Sequence, residues 1–216
     1  MKKLISVILS AAVFLLFVSC GKTSSKSEVT AVIAAVNGEV ITAEETEYFS
    51  SRSRGKIINE YSEKYGITDF SSFWDTEFDG KTPRQALEEC ALEQAIEAKI
   101  KLVLMRENGI YDDISFSALR AKGEKYNREH ENQKDNVGLN SVNMESFYTY
   151  YISNGEMELK NILSESTLKP SQAELDAAGK EHPNLTEEGL IGIITSEKYD
   201  KMIDEAVKNA VVEYLE

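Results

Sequence analysis

Two histidines and two cysteines are the residues of this sequence with the widest chemical repertoire. His130 lies between Glu129 and Glu131, a group of the types that can ligate a metal, and His182 lies apart from it. Neighbouring residues on a helix do not share a face, so this run is better interpreted as a solvated helix surface. The sequence contains no HExxH, CxxC, GxGxxG, GxSxG or P-loop motif. We therefore expect no catalytic residue, no metal and no cofactor.

Cys20 is the residue placed for a defined modification. It follows two lysines, a nearly unbroken apolar stretch over residues 4–18, and Ser19. An apolar core of roughly 7–15 residues is typical of an export signal, whereas a membrane span needs about 20. The last residues of this segment, Phe17 to Cys20, resemble a bacterial lipobox, with Phe17 at the position where a leucine is usual. In that motif the signal is cut before the cysteine and the thiol is lipidated.

Residues 1–19 are therefore predicted to be a lipoprotein signal peptide, with lipidation of Cys20. The resulting protein would be anchored to the membrane by lipid, at its extracytoplasmic face. The alternative is an ordinary secretory signal in which Cys20 is incidental. Residues 21–28, GKTSSKSE, have no apolar side chain to bury, so residues 20–30 are interpreted as a flexible tether.

The mature chain would be strongly acidic. Loss of Lys2 and Lys3 with the signal changes the formal charge from −13 to −15. This charge argues against a nucleic-acid partner and against electrostatic binding to anionic lipid. Cys90 would be the one remaining thiol, so an internal disulfide is excluded. Only three prolines and twelve glycines in the whole sequence argue against a loop-rich or all-β architecture.

The elements that would position any site begin with a β-hairpin. In AVNGEVITAEE, residues 35–45, the Asn-Gly pair is the strongest short-range signal for a tight hairpin turn. The flanking segments 31–36 and 39–41 are predicted to be its strands. A two-stranded hairpin is marginal by itself. We expect the β-branched segment 210–214 to return and supply a third strand.

The rest of the chain is predicted to be helical. Thr42 is a good N-cap, with Glu45 at the capping-box position, and Gly66 ends the first helix. Thr82-Pro83 starts the longest helix, whose apolar residues cover more than one stripe, as in a central helix. The Asn-Gly pair at 154–155 predicts a kink. The predicted helices cover residues 43–65, 83–108, 115–133, 144–165, 172–181 and 196–209, with a turn-rich break at 135–143 and a weakly ordered loop at 182–195.

Several stretches together resemble the SurA/PrsA class of extracytoplasmic foldases. AVNGEVITAEE is similar to the opening hairpin and helix of that class, and residues 69–121 are similar to the next part of its N-terminal domain. LKPSQAELDAA resembles the segment that leads into the parvulin prolyl isomerase domain. EKYDKMIDEAVKNAVVEYLE resembles the closing helix and strand. The resemblance implies a mainly α, multi-helix SurA N-terminal-like domain over residues 31–216, with an N-terminal part at 31–168 and a return segment at 196–216.

One part of the family pattern is missing. Only 26 residues separate Pro170 from Glu197, and a domain below about 40 residues rarely folds unaided. The family's isomerase site uses a pair of histidines beside an acid or thiol, which His130 and His182 do not supply. We therefore expect a chaperone-like module without isomerase activity.

Aromatic residues are the candidate binding groups. They are interpreted either as core packing or as an apolar groove for unfolded client segments, since aromatic rings supply contact area without requiring a fixed sequence. The predicted function is non-catalytic binding of unfolded or exported polypeptides; the alternative is an adaptor with one specific partner. The candidate peptide-binding residues are Phe73, Trp74, Phe78, Phe147, Tyr148, Tyr150 and Tyr151.

Overall fold

A computed structural model of the chain describes residues 31–130 and 142–215. The predicted signal peptide, Cys20 and the tether lie outside these residues, as does most of the predicted break at 135–143. The described residues form a mainly helical domain with a small antiparallel sheet, as predicted. Its elements are β1 (Val32–Val36), β2 (Glu39–Thr42), α1 (Ala43–Tyr65), a 3-10 turn (Phe73–Asp75), α2 (Pro83–Glu107), α3 (Phe116–His130), α4 (Met144–Ser164), α5 (Gln172–Glu181), α6 (Glu187–Asn209) and β3 (Val212–Tyr214).

The N-terminal hairpin forms as predicted. Asn37 and Gly38 have φ values of 50° and 82°, the left-handed geometry that a type I′ turn requires at both central positions. β2 then leads into α1 without a linker. The Thr42 hydroxyl accepts a hydrogen bond from the Glu45 amide at 3.2 Å, and Gly66 ends the helix in a left-handed conformation.

The C-terminal strand returns to this hairpin, which confirms the predicted third strand. The sheet order is β2-β1-β3, and both pairings are antiparallel. Asn37 joins the two ends of the domain. Its amide donates to the Val211 carbonyl, and its side-chain oxygen accepts from the Val211 amide, both at 2.9 Å. Residues far apart in the chain thus build one small module.

Helix α2 is the centre of the domain. It begins with a complete capping box between Thr82 and Gln85, with Pro83 at its first turn. It contacts α1, α4, α6 and the sheet. Ala91, Ala95 and Ala98 are among its buried residues, so small side chains allow neighbouring helices to approach. Cys90 is partly buried and is not in a disulfide.

Helix α4 is unbroken through Gly155, where a kink was predicted. The glycine permits a close contact between helices. A Cβ atom at this position would lie 2.5 Å from the Met105 sulfur and 2.8 Å from a ring carbon of Tyr111. The missing side chain therefore lets α4 pack closely against α2 and the segment that follows it.

The last helix starts earlier than predicted. Residues 187–195, expected to be part of a loop, form the first turns of α6. Thr186 caps them by accepting a hydrogen bond from the Gly189 amide at 3.2 Å. Leu190 and Ile194 are buried, and α5 packs along this half of α6. The two glycines in this stretch favoured a loop, but tertiary burial outweighs their low helix propensity.

Candidate functional site

The first aromatic cluster closes the C-terminal end of α1. Phe73 is buried and contacts Trp74 edge-on, with ring centroids 5.0 Å apart. The Arg54 guanidinium lies 4.4 Å from the Trp74 ring centre, and Phe78 lies 4.9 Å from the Tyr65 ring. Trp74 and Phe78 are half-buried. The rings of this cluster mostly contact each other.

The second aromatic cluster divides between core and solvent. Phe147, Tyr148 and Tyr151 are buried, and Tyr151 stacks on Tyr111 with ring centroids 4.0 Å apart. Tyr150 is 63% exposed on the opposite face of α4. Four of the seven candidate residues, counting Phe73, are therefore core residues in the folded chain. They cannot contact a client unless the domain opens locally.

A buried ion pair lies between three helices. Lys99 Nζ on α2 is 3.0 Å from Glu45 Oε2 on α1, and the two side chains are 2% and 1% exposed. The Tyr148 hydroxyl on α4 donates to Glu45 Oε1 at 3.0 Å. Burial raises the pKa of Glu45, and the neighbouring Lys99 opposes this shift. The sequence indicated only a capping role for Glu45, whereas its carboxylate is a polar centre of the core.

A cleft opens beside this ion pair, between α1, α2 and α4. Its volume is about 270 Å³. Phe49, Ala98 and Ile152 supply apolar surface. Arg52 lies at the cleft and donates from Nη1 to the Thr149 hydroxyl at 2.6 Å. We call this the Arg52 cleft.

A larger groove lies between α4 and α6, with a volume of about 610 Å³. Met157 on α4 and Ile191 on α6 line it, and these side chains are 61% and 37% exposed. Thr195 also lines the groove, and its hydroxyl oxygen is buried without a hydrogen-bond partner among the described residues. Ser153 lines both this groove and the Arg52 cleft, so the two cavities adjoin. We call it the α4–α6 groove.

The two histidines lie in ordinary structural settings. His130 Nδ1 is 2.7 Å from the Tyr126 carbonyl, and the two rings stack at 4.0 Å. The His182 amide caps α5 by donating to the Ala178 carbonyl at 2.8 Å. Within residues 31–130 and 142–215, no group of three or more His, Cys, Asp or Glu side chains could hold a metal ion.

Of the residues that line the two cavities, sequence reasoning named only Tyr148, on the wall of the Arg52 cleft, and it named none that line the α4–α6 groove. Tyr150 and Met157 are seven residues apart, so they lie on the same face of α4, outside the stripe formed by Tyr148, Tyr151 and Leu159. Two large apolar residues outside the core stripe were the available signal for an exposed binding surface. Arg52 gave no comparable signal, because its hydroxyl partner Thr149 is distant in sequence.

Comparison with known proteins returns no match among protein families, curated proteins or solved structures. Among the helices that the structure describes, none has the length and apolar character needed to cross a membrane.

Proposed function

We propose that this chain is a lipid-anchored extracytoplasmic protein that binds incompletely folded or exported polypeptides without catalysis. The observation that carries the proposal is the α4–α6 groove with its exposed Met157 and Ile191. Exposed apolar side chains along a groove are typical of interaction sites. The flexible, polarisable side chain of methionine adapts to varied partners.

The size and charge of the groove suit a polypeptide segment. Its volume of about 610 Å³ lies within the range of roughly 300–1,000 Å³ that ligand sites commonly have. Glu188 and Ser196 supply polar groups around the apolar residues. With a formal charge of −13 for the full sequence, which becomes −15 when Lys2 and Lys3 are removed with the signal, the chain favours clients that carry basic residues beside apolar ones.

An adaptor that binds one fixed partner is the alternative. It is favoured by the burial of Phe73, Phe147, Tyr148 and Tyr151, which removes most of the aromatic surface expected of a general chaperone. The two functions differ in breadth. A chaperone binds many unfolded chains, whereas an adaptor discriminates between folded surfaces.

Light scattering from a diluted, unfolded test protein distinguishes the two functions. The chain from Gly21 onward, which retains every described residue, would be added at increasing molar ratio. We expect scattering to fall in a saturable way near stoichiometry. Unchanged scattering in the presence of the folded chain would refute general chaperoning and leave the adaptor function.

Two variants of α4 test whether the groove is responsible. Met157→Glu places a charge in the groove, and we expect it to weaken suppression of scattering. Ile162→Glu makes the same change of charge at a residue that is 44% exposed on the same helix but does not line the groove. We expect this control to act like the unmodified chain. Equal loss in both variants would argue against the groove as the binding site.

A further inference from the structure

Arg52 is held in a fixed position by neutral groups. Its Nη1 donates to the Thr149 hydroxyl at 2.6 Å and to the Tyr48 hydroxyl at 3.2 Å, and these two hydroxyls lie 2.8 Å apart. Among the described residues, no carboxylate forms an ion pair with Arg52. The Nε and Nη2 atoms of Arg52 likewise donate to no group among the described residues. A guanidinium with its orientation fixed and donors free is suited to binding a carboxylate in a bidentate manner.

The other charges of the Arg52 cleft are already compensated. Lys101 lies 2.8 Å from Glu97 and 2.7 Å from Glu156. Burial lowers the pKa of Lys101, but its hydrogen bonds to the two carboxylates outweigh this and raise the pKa above its ordinary value. Lys101 therefore stays charged between the two acids. Arg52 is the charged group of the cleft that lacks a counter-charge among the described residues.

The position of the cleft connects it with the α4–α6 groove. Ser153 lines both cavities, and Glu156, which lines the groove, binds Lys101, which lines the cleft. A polypeptide segment that lies in the groove and crosses α4 at Ser153 enters the cleft. There it meets apolar surface from Phe49 and Ile152 beside the free donors of Arg52.

We infer that the Arg52 cleft binds a carboxylate of the polypeptide whose apolar segment occupies the α4–α6 groove. This inference rests on the proposed function and adds a chemical preference to it. The carboxylate comes from the client's C-terminus or from an acidic side chain. Binding would replace water at Nε and Nη2 with a charge-assisted pair, while Tyr48 and Thr149 keep the guanidinium in place.

Arg54 provides a matched control on the same helix. It is also exposed and forms no ion pair among the described residues, but its guanidinium lies over the Trp74 ring. It lines neither the Arg52 cleft nor the α4–α6 groove. Arg52→Gln and Arg54→Gln thus remove the same charge from α1, and only the first removes it from the cleft.

Fluorescence anisotropy with three labelled peptides tests the inference. All three share one apolar and basic segment; the first ends in a free carboxylate, the second in an amide, and the third in an amide with one internal glutamate. We expect the chain from Gly21 onward to bind the free acid about tenfold more tightly than the amide. If the third peptide binds like the first, an acidic side chain can supply the carboxylate as well as the terminus can; if it binds like the second, the carboxylate must be the terminus.

The variants give the decisive comparison. We expect Arg52→Gln to bind the free acid and the amide equally, and Arg54→Gln to keep the tenfold difference. Equal binding of all peptides by the unmodified chain would overturn the inference, as would a preference that survives Arg52→Gln. Absence of peptide binding would also overturn it. The proposed function is judged separately, by suppression of scattering, because a client can occupy the groove without contacting Arg52.

Discussion

Replacing Lys99 by methionine would leave the Glu45 carboxylate buried without its cation. Methionine keeps the length of the side chain, so the change removes charge with little change of volume. Removing one partner of a buried ion pair costs about 3–5 kcal/mol, because an uncompensated charge remains. Tyr148 still donates to Glu45, so we expect a cost near the lower end, about 3 kcal/mol. This is a large part of the roughly 5–15 kcal/mol that stabilises a typical domain.

The cost should depend on pH. Burial already raises the pKa of Glu45, and Lys99 is the main group that opposes this shift. Without Lys99 the folded-state pKa rises further, so the folded variant binds a proton that the unfolded chain has released. The free energy of unfolding of the variant, relative to the unmodified chain, should therefore fall as pH rises above about 4.5. The deficit should be smaller near pH 5 than near pH 8.

Urea denaturation followed by circular dichroism measures both quantities. Lys56→Met is the control, because Lys56 is an exposed lysine on α1, and we expect it to change stability by less than about 0.5 kcal/mol. Adding Glu45→Gln to Lys99→Met removes the buried charge, keeps an acceptor for Tyr148, and should recover much of the loss. A cost below about 1 kcal/mol for Lys99→Met, or a deficit independent of pH, would refute this account of the core.

Three further changes test other parts of the fold. Gly155→Leu should destabilise the folded chain by about 1–3 kcal/mol, because the new side chain overpacks against α2. Gly55→Leu should not destabilise it, because Gly55 has open space around it. The denaturation midpoints of the two variants test this difference. Asn37→Gly should lower the free energy of unfolding by about 1 kcal/mol, because the variant keeps the turn but loses the hydrogen bond that the Asn37 side chain accepts from the Val211 amide. Hydrogen exchange of the β3 amides should become faster, and unchanged exchange would contradict this. Burial raises the pKa of Tyr111 to about 12, so ultraviolet titration of the folded chain should show a tyrosine that ionises late. Because the unfolded chain ionises this tyrosine near pH 10, the folded state should lose stability as pH rises above about 10. Titration of all tyrosines near pH 10 in the folded chain would contradict this.

The parts of the fold that were predicted correctly depend on local signals. The Asn37-Gly38 turn, the Thr42 cap and the Thr82-Pro83 start each act through residues within one turn of the chain. The return of β3 followed from a simpler physical need, since an isolated hairpin requires another element to stabilise it.

The candidate site depends on contacts between distant segments, so the sequence could not define it. Phe147 and Tyr151 repeat at helical spacing whether that face meets other helices or a client. Their burial is decided by which elements pack against α4. Nothing near Lys99 in the sequence identifies Glu45 as its partner, because the two residues are 54 positions apart. The beginning of α6 was missed because its glycines favour a loop, while the burial of Leu190 depends on contact with α5.

Site-specific photo-crosslinking tests the central claim most directly. A photoreactive amino acid would replace Met157 in the α4–α6 groove or, as a control, Lys56 on α1, and each protein would be irradiated with an unfolded client or with the same client folded. We predict crosslinks from position 157 to the unfolded client, with few to the folded client and few from position 56. Crosslinks that are absent at position 157, or equally strong at position 56, would contradict the proposal that the groove binds incompletely folded polypeptides.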